Sequence, residues 1–378
     1  MFQWTAYNLL AVILIFAGLE IAARTYFQLR YHRQTNGSLV LNFSPYVMNG
    51  WESDMRLPNL VSNRLGFPVD YDIAMPKTCY RIFLLGGSFT IKSVEDYHLS
   101  VGYRIKQRLE ERLGSAHVEF IPAGAGGVMS FNELIFFVWR ILRLDPDMII
   151  ICDGHNDILT LNTPKYHDQS HEYVDTVNYM NLPHWRRSLI ELSEASRMVS
   201  ELRRLTQTRF YNPRSRKDYR KFGFLSEYRY YPDTAVRYAQ NLRYMGQLCH
   251  ANQASVVYIF QPTITQVNKP LSRAETDYLR TARQSTNFFK VYDQAFPAYY
   301  SAMTAVAREL HAPVFNANEW FDDLTEKDEV FGDDCHLTDE SNDYFARQFV
   351  ERLTPLIEQS LRARPMGLLQ AGTAEKVL

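Results

Sequence analysis

Short, nearly unbroken apolar runs recur along this chain and close on glycine, proline or asparagine. They are YRIFLLGG (80–87), HVEFIPAG (117–124), DMIIICDG (147–154), ASVVYIFQP (254–262) and APVFNAN (312–318). Such runs suit strands buried on both faces, as in a parallel sheet. Helical periodicity lies between them: DYHLSVGYRIKQRLEERLG (96–114) ends on Gly114, and SFNELIFFVWRILRLD spans 130–145. In the second, Ser130 with Glu133 three residues on reads as an N-cap with its capping box. Further helices are expected near 233–252, near 288–310 and from Thr338 to about Arg362. Strand–helix alternation of this kind predicts an α/β fold: a doubly wound, mostly parallel sheet of three-layer architecture. Its right-handed crossovers bring the strand carboxyl ends to one edge, where open sheets hold ligands.

Two stretches depart from that rhythm. Residues from about 158 to 232 lack clear strands and read as an inserted helical segment, basic and aromatic. At the amino terminus an unbroken apolar core runs from Leu9 to Leu19, flanked by Trp4, Tyr7 and Tyr26. Extended to Ala23 it approaches the roughly 20 residues that cross a bilayer. It predicts a single-pass N-terminal transmembrane helix that meets the lipid bilayer through residues about 6–23. No Lys or Arg precedes the run and no A-x-A site follows it, which argues against a cleaved signal peptide. Glu20 stands near the helix end, where a carboxylate can reach the interface. Arg24, Arg30 and Arg33 follow the span, and by the positive-inside rule they favour a cytoplasmic carboxy-terminal domain. The organisation expected is an anchor and flank (1–33), a lead-in (34–75), the α/β domain (76–363) carrying the insertion, and a loose tail (364–378).

Composition narrows the function classes. Apolar residues make up 46% of the 378, enough for a sizeable core, and a net charge of -1 gives no global attraction to nucleic acid. Basic residues do cluster at Arg209, Arg214, Arg216, Lys217, Arg220 and Lys221, against Asp218 alone. Such a run is usually a solvated face, and it could instead meet anionic headgroups or an acidic glycan. Cys79, Cys152, Cys249 and Cys335 show no CxxC spacing, so no metal site is expected.

Four stretches fall at predicted strand ends. In LLGGSFT, Ser88 follows a strand and two glycines, which permit a sharp strand-to-helix turn that exposes a hydroxyl. No GK[ST] follows, so this is not a P-loop. In IPAGAGG, the Gly124 backbone N–H could donate to an oxyanion. In CDGHND, Asn156 offers an uncharged amide donor, Asp157 could cap the next turn, and His155 could be read as a base. In FGDDCHLTDE, His336 can act as general base and acid, with Asp333 three residues earlier to orient it and Asp334 as the fallback.

Taken in order, these four blocks resemble the SGNH/GDSL hydrolase superfamily, whose signature is Ser, Gly, Asn and His in separate blocks. Ser88, Gly124, Asn156, and Asp333 with His336 stand at the matching positions. PDMIIICDGHND, DDCHLTDESN and the NRLGF before the first strand look like bacterial members with an amino-terminal membrane helix. The resemblance covers roughly 60–360. Two positions depart from the family pattern: Gly87 stands where an aspartate precedes the serine, and Pro122 where an asparagine often lies two residues before the block-two glycine.

The resemblance implies acyl transfer without cofactor. His336 takes the Ser88 proton, Ser88 attacks an ester carbonyl, and the amides of Ser88 and Gly124 with the Asn156 side chain hold the oxyanion. A membrane-anchored esterase acting on O-acyl groups, plausibly of a polysaccharide, is the leading expectation. An O-acyltransferase with the same triad and a non-catalytic assembly protein are the alternatives. Resembling proteins are thought to face outward, so an extracytoplasmic domain is implied against the arginine count.

Overall fold

The computed structural model describes residues 60–91, 96–115, 117–164 and 227–363, with shorter pieces at 11, 14–22, 25, 41–44, 48–51, 54 and 56–57. Two small antiparallel pairs come first: β1 (Leu41–Ser44) with β2 (Met48–Trp51), and β3 (Arg56–Leu57) with β4 (Leu60–Val61). The main sheet contains β5 (Tyr80–Gly86), β6 (Val118–Pro122), β7 (Met148–Asp153), β8 (Ser255–Phe260) and β9 (Val314–Asn316). Its order is β6-β5-β7-β8-β9, and every pairing is parallel. The strand β5 therefore sends one crossover to β6 on its left, and β6 returns to β7 on the other side. That reversal makes the β5/β7 boundary the topological switch point, where doubly wound sheets open a crevice.

The strands β5, β6 and β7 are buried along their whole length, as parallel strands covered on both faces must be. The helices covering them are α1 (Ser88–Ile91), α2 (Val101–Leu113), α3 (Ser130–Phe136), α4 (His155–Leu161), α5 (Pro232–Ala251), α6 (Arg273–Ser285), α7 (Phe288–Glu309) and α8 (Asp339–Ala363). α2 packs against α8, and α5 packs against α3 and α7. Aromatic edges lock α8 to the sheet: Phe349 meets Phe120 of β6, and Phe345 meets Phe89 of α1. The Arg108 guanidinium of α2 also grips both oxygens of Asp343 in α8, at 2.6 and 2.8 Å.

The lead-in is joined to the core. Asn63 Oδ1 accepts from the backbone N–H of Leu65 and of Phe67, which closes the NRLGF turn and drives Phe67 under β5 against Phe83.

The α6 helix was not anticipated, although its signal is local. Ser272 accepts from the Glu275 N–H, and the Glu275 carboxylate accepts from the Ser272 N–H in return. The expected cap at Ser130 is corrected. Ser130 is the first residue inside α3, Asn132 Oδ1 accepts from the Met129 N–H, and Glu133 turns into the core.

Among the described residues no helix is long and apolar enough to cross a membrane. The expected span at 6–23 lies only partly within them. Residues 14–22 are helical and leave Leu14, Ile15, Phe16, Leu19 and Ile21 exposed. Arg24, Arg30, Arg33, most of the insertion with its basic run (165–226) and the tail (364–378) lie outside the described residues.

Gly154 fixes the turn from β7 to α4. Its φ is +120°, and a Cβ there would stand 2.7 Å from Cζ of the buried Phe260. Gly154→Ala is expected to lower stability by about 2 kcal/mol, from overpacking and backbone strain together. The shift in the guanidinium unfolding midpoint measures it.

Candidate active site

The turn after β5 carries Ser88 as the first residue of α1. The turn is held by Thr90, whose hydroxyl and N–H both donate to the Gly87 carbonyl, at 3.0 and 3.2 Å. Ser88 stays partly exposed while Phe89, Thr90 and Ile91 are buried. The short helix thus pins itself in the core and leaves its leading hydroxyl at the rim.

His336 arrives from far along the chain on a closed loop. Phe331 and Leu337 bridge as an antiparallel pair, Gly332 N–H donates to the His336 carbonyl, and Thr338 N–H donates to that of Val330. Glu275 of α6 fastens the loop's base, its Oε1 accepting from the N–H of Val330 (2.8 Å) and Phe331 (2.9 Å). Its Oε2 takes Lys269 Nζ at 2.7 Å, in a fully buried pair. Burial works to raise the Glu275 pKa, but the Lys269 bond and the N–H donors of Ser272, Phe331 and Val330 outweigh it and hold the carboxyl below its ordinary value.

Within the loop Asp333 is set before it orients anything. Its Oδ1 accepts from the N–H of Cys335 (3.1 Å) and His336 (2.8 Å). Both Asp333 oxygens lie 2.8 Å from His336 Nδ1, and His336 Nε2 lies 2.7 Å from Ser88 Oγ. A carboxylate only accepts, so Nδ1 carries the proton and Nε2 faces the serine hydroxyl as acceptor. The imidazole and carboxylate keep 18% and 28% of their side-chain surface exposed, enough for a substrate to reach them. The structure therefore brings Ser88, His336 and Asp333 into one hydrogen-bonded line.

The donor candidates converge on the same turn. Gly124 follows β6, and a Cβ there would stand 2.0 Å from Thr90 Oγ1 and 2.9 Å from the Gly86 carbonyl oxygen. Only glycine lets the two loops approach so closely. Asn156 projects from the start of α4, and its Nδ2 donates to the Val128 carbonyl at 2.7 Å. A Cβ at Gly87 would stand 2.3 Å from that same Nδ2. The glycine that departs from the resembling family's aspartate is the space the Asn156 amide occupies.

Other assignments change. Asp334 does not serve His336, since its Oδ2 lies 3.0 Å from Nε2 of His155. Asp157 serves another helix: it is fully buried and accepts from both the N–H and the hydroxyl of Ser130, at the start of α3, at 3.0 and 2.6 Å. Cys335 is buried, with its Sγ 3.7 Å from His336 Nδ1. The ligand atoms of His155, Asp334 and Cys335 fall within 4.8 Å of one another, as do those of Asp333, Cys335 and His336. The second trio consists of the relay and its neighbour, and the first has its imidazole already matched to a carboxylate.

Behind the Asn156 turn lies a feature the sequence did not signal. Glu133, Asp153 and Asp157 are all buried, at 3%, 2% and 0% exposure. Neither Glu133 oxygen has a hydrogen-bond partner among the described residues. Burial, then the charge of Asp157, pushes the Glu133 pKa well above its usual range. Asp153 is raised by burial, then by Glu133 and Asp157.

No protein-family model matches the chain, and no curated protein matches it. Among solved structures it is similar to TesA at 12% identity and a TM-score of 0.39, over 73% of this chain and 99% of that one. The acetyl xylan esterase AlAXEase aligns at 12% and 0.40, over 72% and 99%. LAE5, an alpha/beta hydrolase enzyme from the metagenome of Lake Arreo, Spain, aligns at 11% and 0.42, over 75% and 99%. Likenesses of this size decide neither reaction nor substrate, which are read from the side chains.

Between its ordinary value of 4.5 and its raised value in the fold, the Glu133 carboxyl takes up a proton on folding. The folded state then binds more protons than the unfolded one, so this group's contribution is complete below 4.5 and declines as pH rises. The slope is at most about 1.4 kcal/mol per pH unit for one proton. Glu133→Gln should flatten the dependence, gaining stability over wild type at pH 8 relative to pH 5. Denaturant midpoints at the two values measure the difference, and parallel curves would contradict it.

Proposed function

We propose that the protein is a serine esterase that cleaves O-acyl groups through an acyl-enzyme, tethered to a membrane by its amino-terminal segment. The observation that supports this best is the continuous line from Ser88 Oγ through both nitrogens of His336 to Asp333, with 2.7 and 2.8 Å separations. In the first half-reaction Nε2 accepts the hydroxyl proton as Oγ attacks the ester carbonyl, and Asp333 stabilises the resulting imidazolium. The imidazolium then returns the proton to the departing alcohol. Water then attacks the acyl carbon as Nε2 takes its proton, and the imidazolium returns that proton to Ser88 Oγ as the acid departs.

Charge that develops on the carbonyl oxygen needs donors fixed in advance. The Asn156 amide has two N–H groups, and one is directed at the Val128 carbonyl. In this reading that bond aims the other at the oxyanion, beside the N–H groups of Ser88 and Gly124. The relay is complete in protein groups, so the reading calls on no metal or cofactor.

The exposed apolar side chains at 14–22 support a lipid-facing anchor. The polysaccharide acceptor and the extracytoplasmic side of the membrane are the parts carried by the sequence resemblance.

Fluorophosphonate labelling tests the nucleophile. Wild type should label and Ser88→Ala should not; a wild type that stays unlabelled would sink the esterase reading in favour of an inert scaffold. Asn156→Ala should cut kcat on p-nitrophenyl acetate by about 10²–10³-fold with little change in KM, the loss expected for one oxyanion donor. Incubation with an acyl donor and a glycan separates the two fates of the acyl group. Free acid is expected, and acyl-glycan accumulating in its place would make the enzyme a transferase.

A further inference from the structure

A second histidine–aspartate pair lies beside the relay. His155 sits between Gly154 and Asn156 at the start of α4, and Asp334 follows Asp333 in the closed loop. The His155 ring is 2% exposed, and it packs against Tyr292 and Phe288 with centroids 5.3 and 5.8 Å away. Its Nε2 meets Asp334 Oδ2 at 3.0 Å, while Nδ1 is buried without a hydrogen-bond partner among the described residues. The carboxylate can only accept, so Nε2 carries the proton. Nδ1 is then a bare acceptor among aromatic rings.

Asp334 is itself held in place. Tyr278 donates its hydroxyl to Oδ1 at 3.4 Å, and the Ile264 N–H donates to the Asp334 carbonyl at 3.0 Å. An unpartnered buried nitrogen is destabilising, and an apolar side chain among these rings would avoid that cost. Polar groups tolerated at such a cost call for an explanation in what they hold together. Here one partner is bonded in sequence to the oxyanion amide and the other to the carboxylate that orients the base.

We propose that the His155–Asp334 contact is a strap that fixes the separation between the loop bearing His336 and the turn bearing Asn156. His155 is then a positioning residue for acyl transfer. The inference rests on the assignment of Ser88 as nucleophile. During attack the base must stay on the serine oxygen while the carbonyl oxygen settles at the Asn156 amide. Misplacement by about 1 Å can cost on the order of 10²-fold in rate.

The test compares His155→Phe, which removes the bond and keeps the volume, with His155→Gln and Asp334→Asn. Gln retains a donor toward Asp334, and Asn retains a carbonyl acceptor for Nε2. In the full chain His155→Phe should lower both kcat on p-nitrophenyl acetate and the fluorophosphonate labelling rate by about tenfold or more. Its KM should hold within about twofold. The two conservative variants should retain most of the activity.

The low-field proton resonance of His336 Nδ1–H should shift or broaden in His155→Phe and keep its position in Asp334→Asn. That signal reads loop geometry whether or not wild type turns over substrate, so a failed esterase assignment and a failed strap give different results. Wild-type turnover and an unmoved resonance in His155→Phe would overturn the proposal, as would equal losses in all three variants. Should His155→Phe not fold, Asp334→Leu set against Asp334→Asn makes the same comparison.

Discussion

A single hydrogen bond, from Ser88 Oγ to His336 Nε2, joins positions 248 residues apart. Chain entropy opposes such a closure, and one hydrogen bond contributes only about 1 kcal/mol net. The contact is therefore made by everything that delivers its two ends. Ser88 is delivered by a buried strand and a four-residue helix whose other members are sunk in the core. His336 is delivered by a loop closed on itself, fastened at its base by Glu275 and continued by a helix that Arg108 and two aromatic contacts hold to the sheet. The bond is short because both rims are rigid before it forms.

The two edges of the sheet handle charge differently. At the amino-terminal edge the charges are matched: Arg81 Nε bonds Glu119, its other nitrogens reach the Leu144 and Ala74 carbonyls, and Asp147 takes the Arg81 N–H and Lys77. At the carboxyl edge lie a half-exposed serine, an imidazole with one nitrogen facing a hydroxyl, and three buried carboxylates, one without any partner among the described residues. A buried carboxyl that has lost hydration and gained no donor stays protonated near neutrality. Burial and the carboxylates around them push Glu133 and Asp153 toward the neutral form, while Asp157 takes both donors of Ser130.

Sequence pattern carried the sheet well. Strands buried on both faces leave a signal that needs no partner to interpret: an apolar run that stops at Gly86, Pro122 or Asp153. The residues at those stops could be named for the same reason. What the sequence hid was pairing. Ser130 and Glu133 satisfy the spacing of a capping box, yet tertiary burial of Glu133 and the reach of Asp157 override it. The true box at Ser272 and Glu275 has the same spacing and was passed over, because the stretch lacks a long apolar face. Asp334 was a plausible orienter by distance along the chain. Its real partner, His155, stands 179 positions earlier (334 − 155), and no local rule reaches that far.

The contact between residue 87 and the Asn156 amide has a consequence for how this chain could diverge. The missing side chain and the asparagine's position are one accommodation, so the two sites are not independent substitutions. A side chain gained at 87 would press on the end of the Asn156 amide, which would have to swing aside and give up its bond to the Val128 carbonyl. A block grafted at 87 with a bulkier side chain would therefore re-aim the asparagine amide as well.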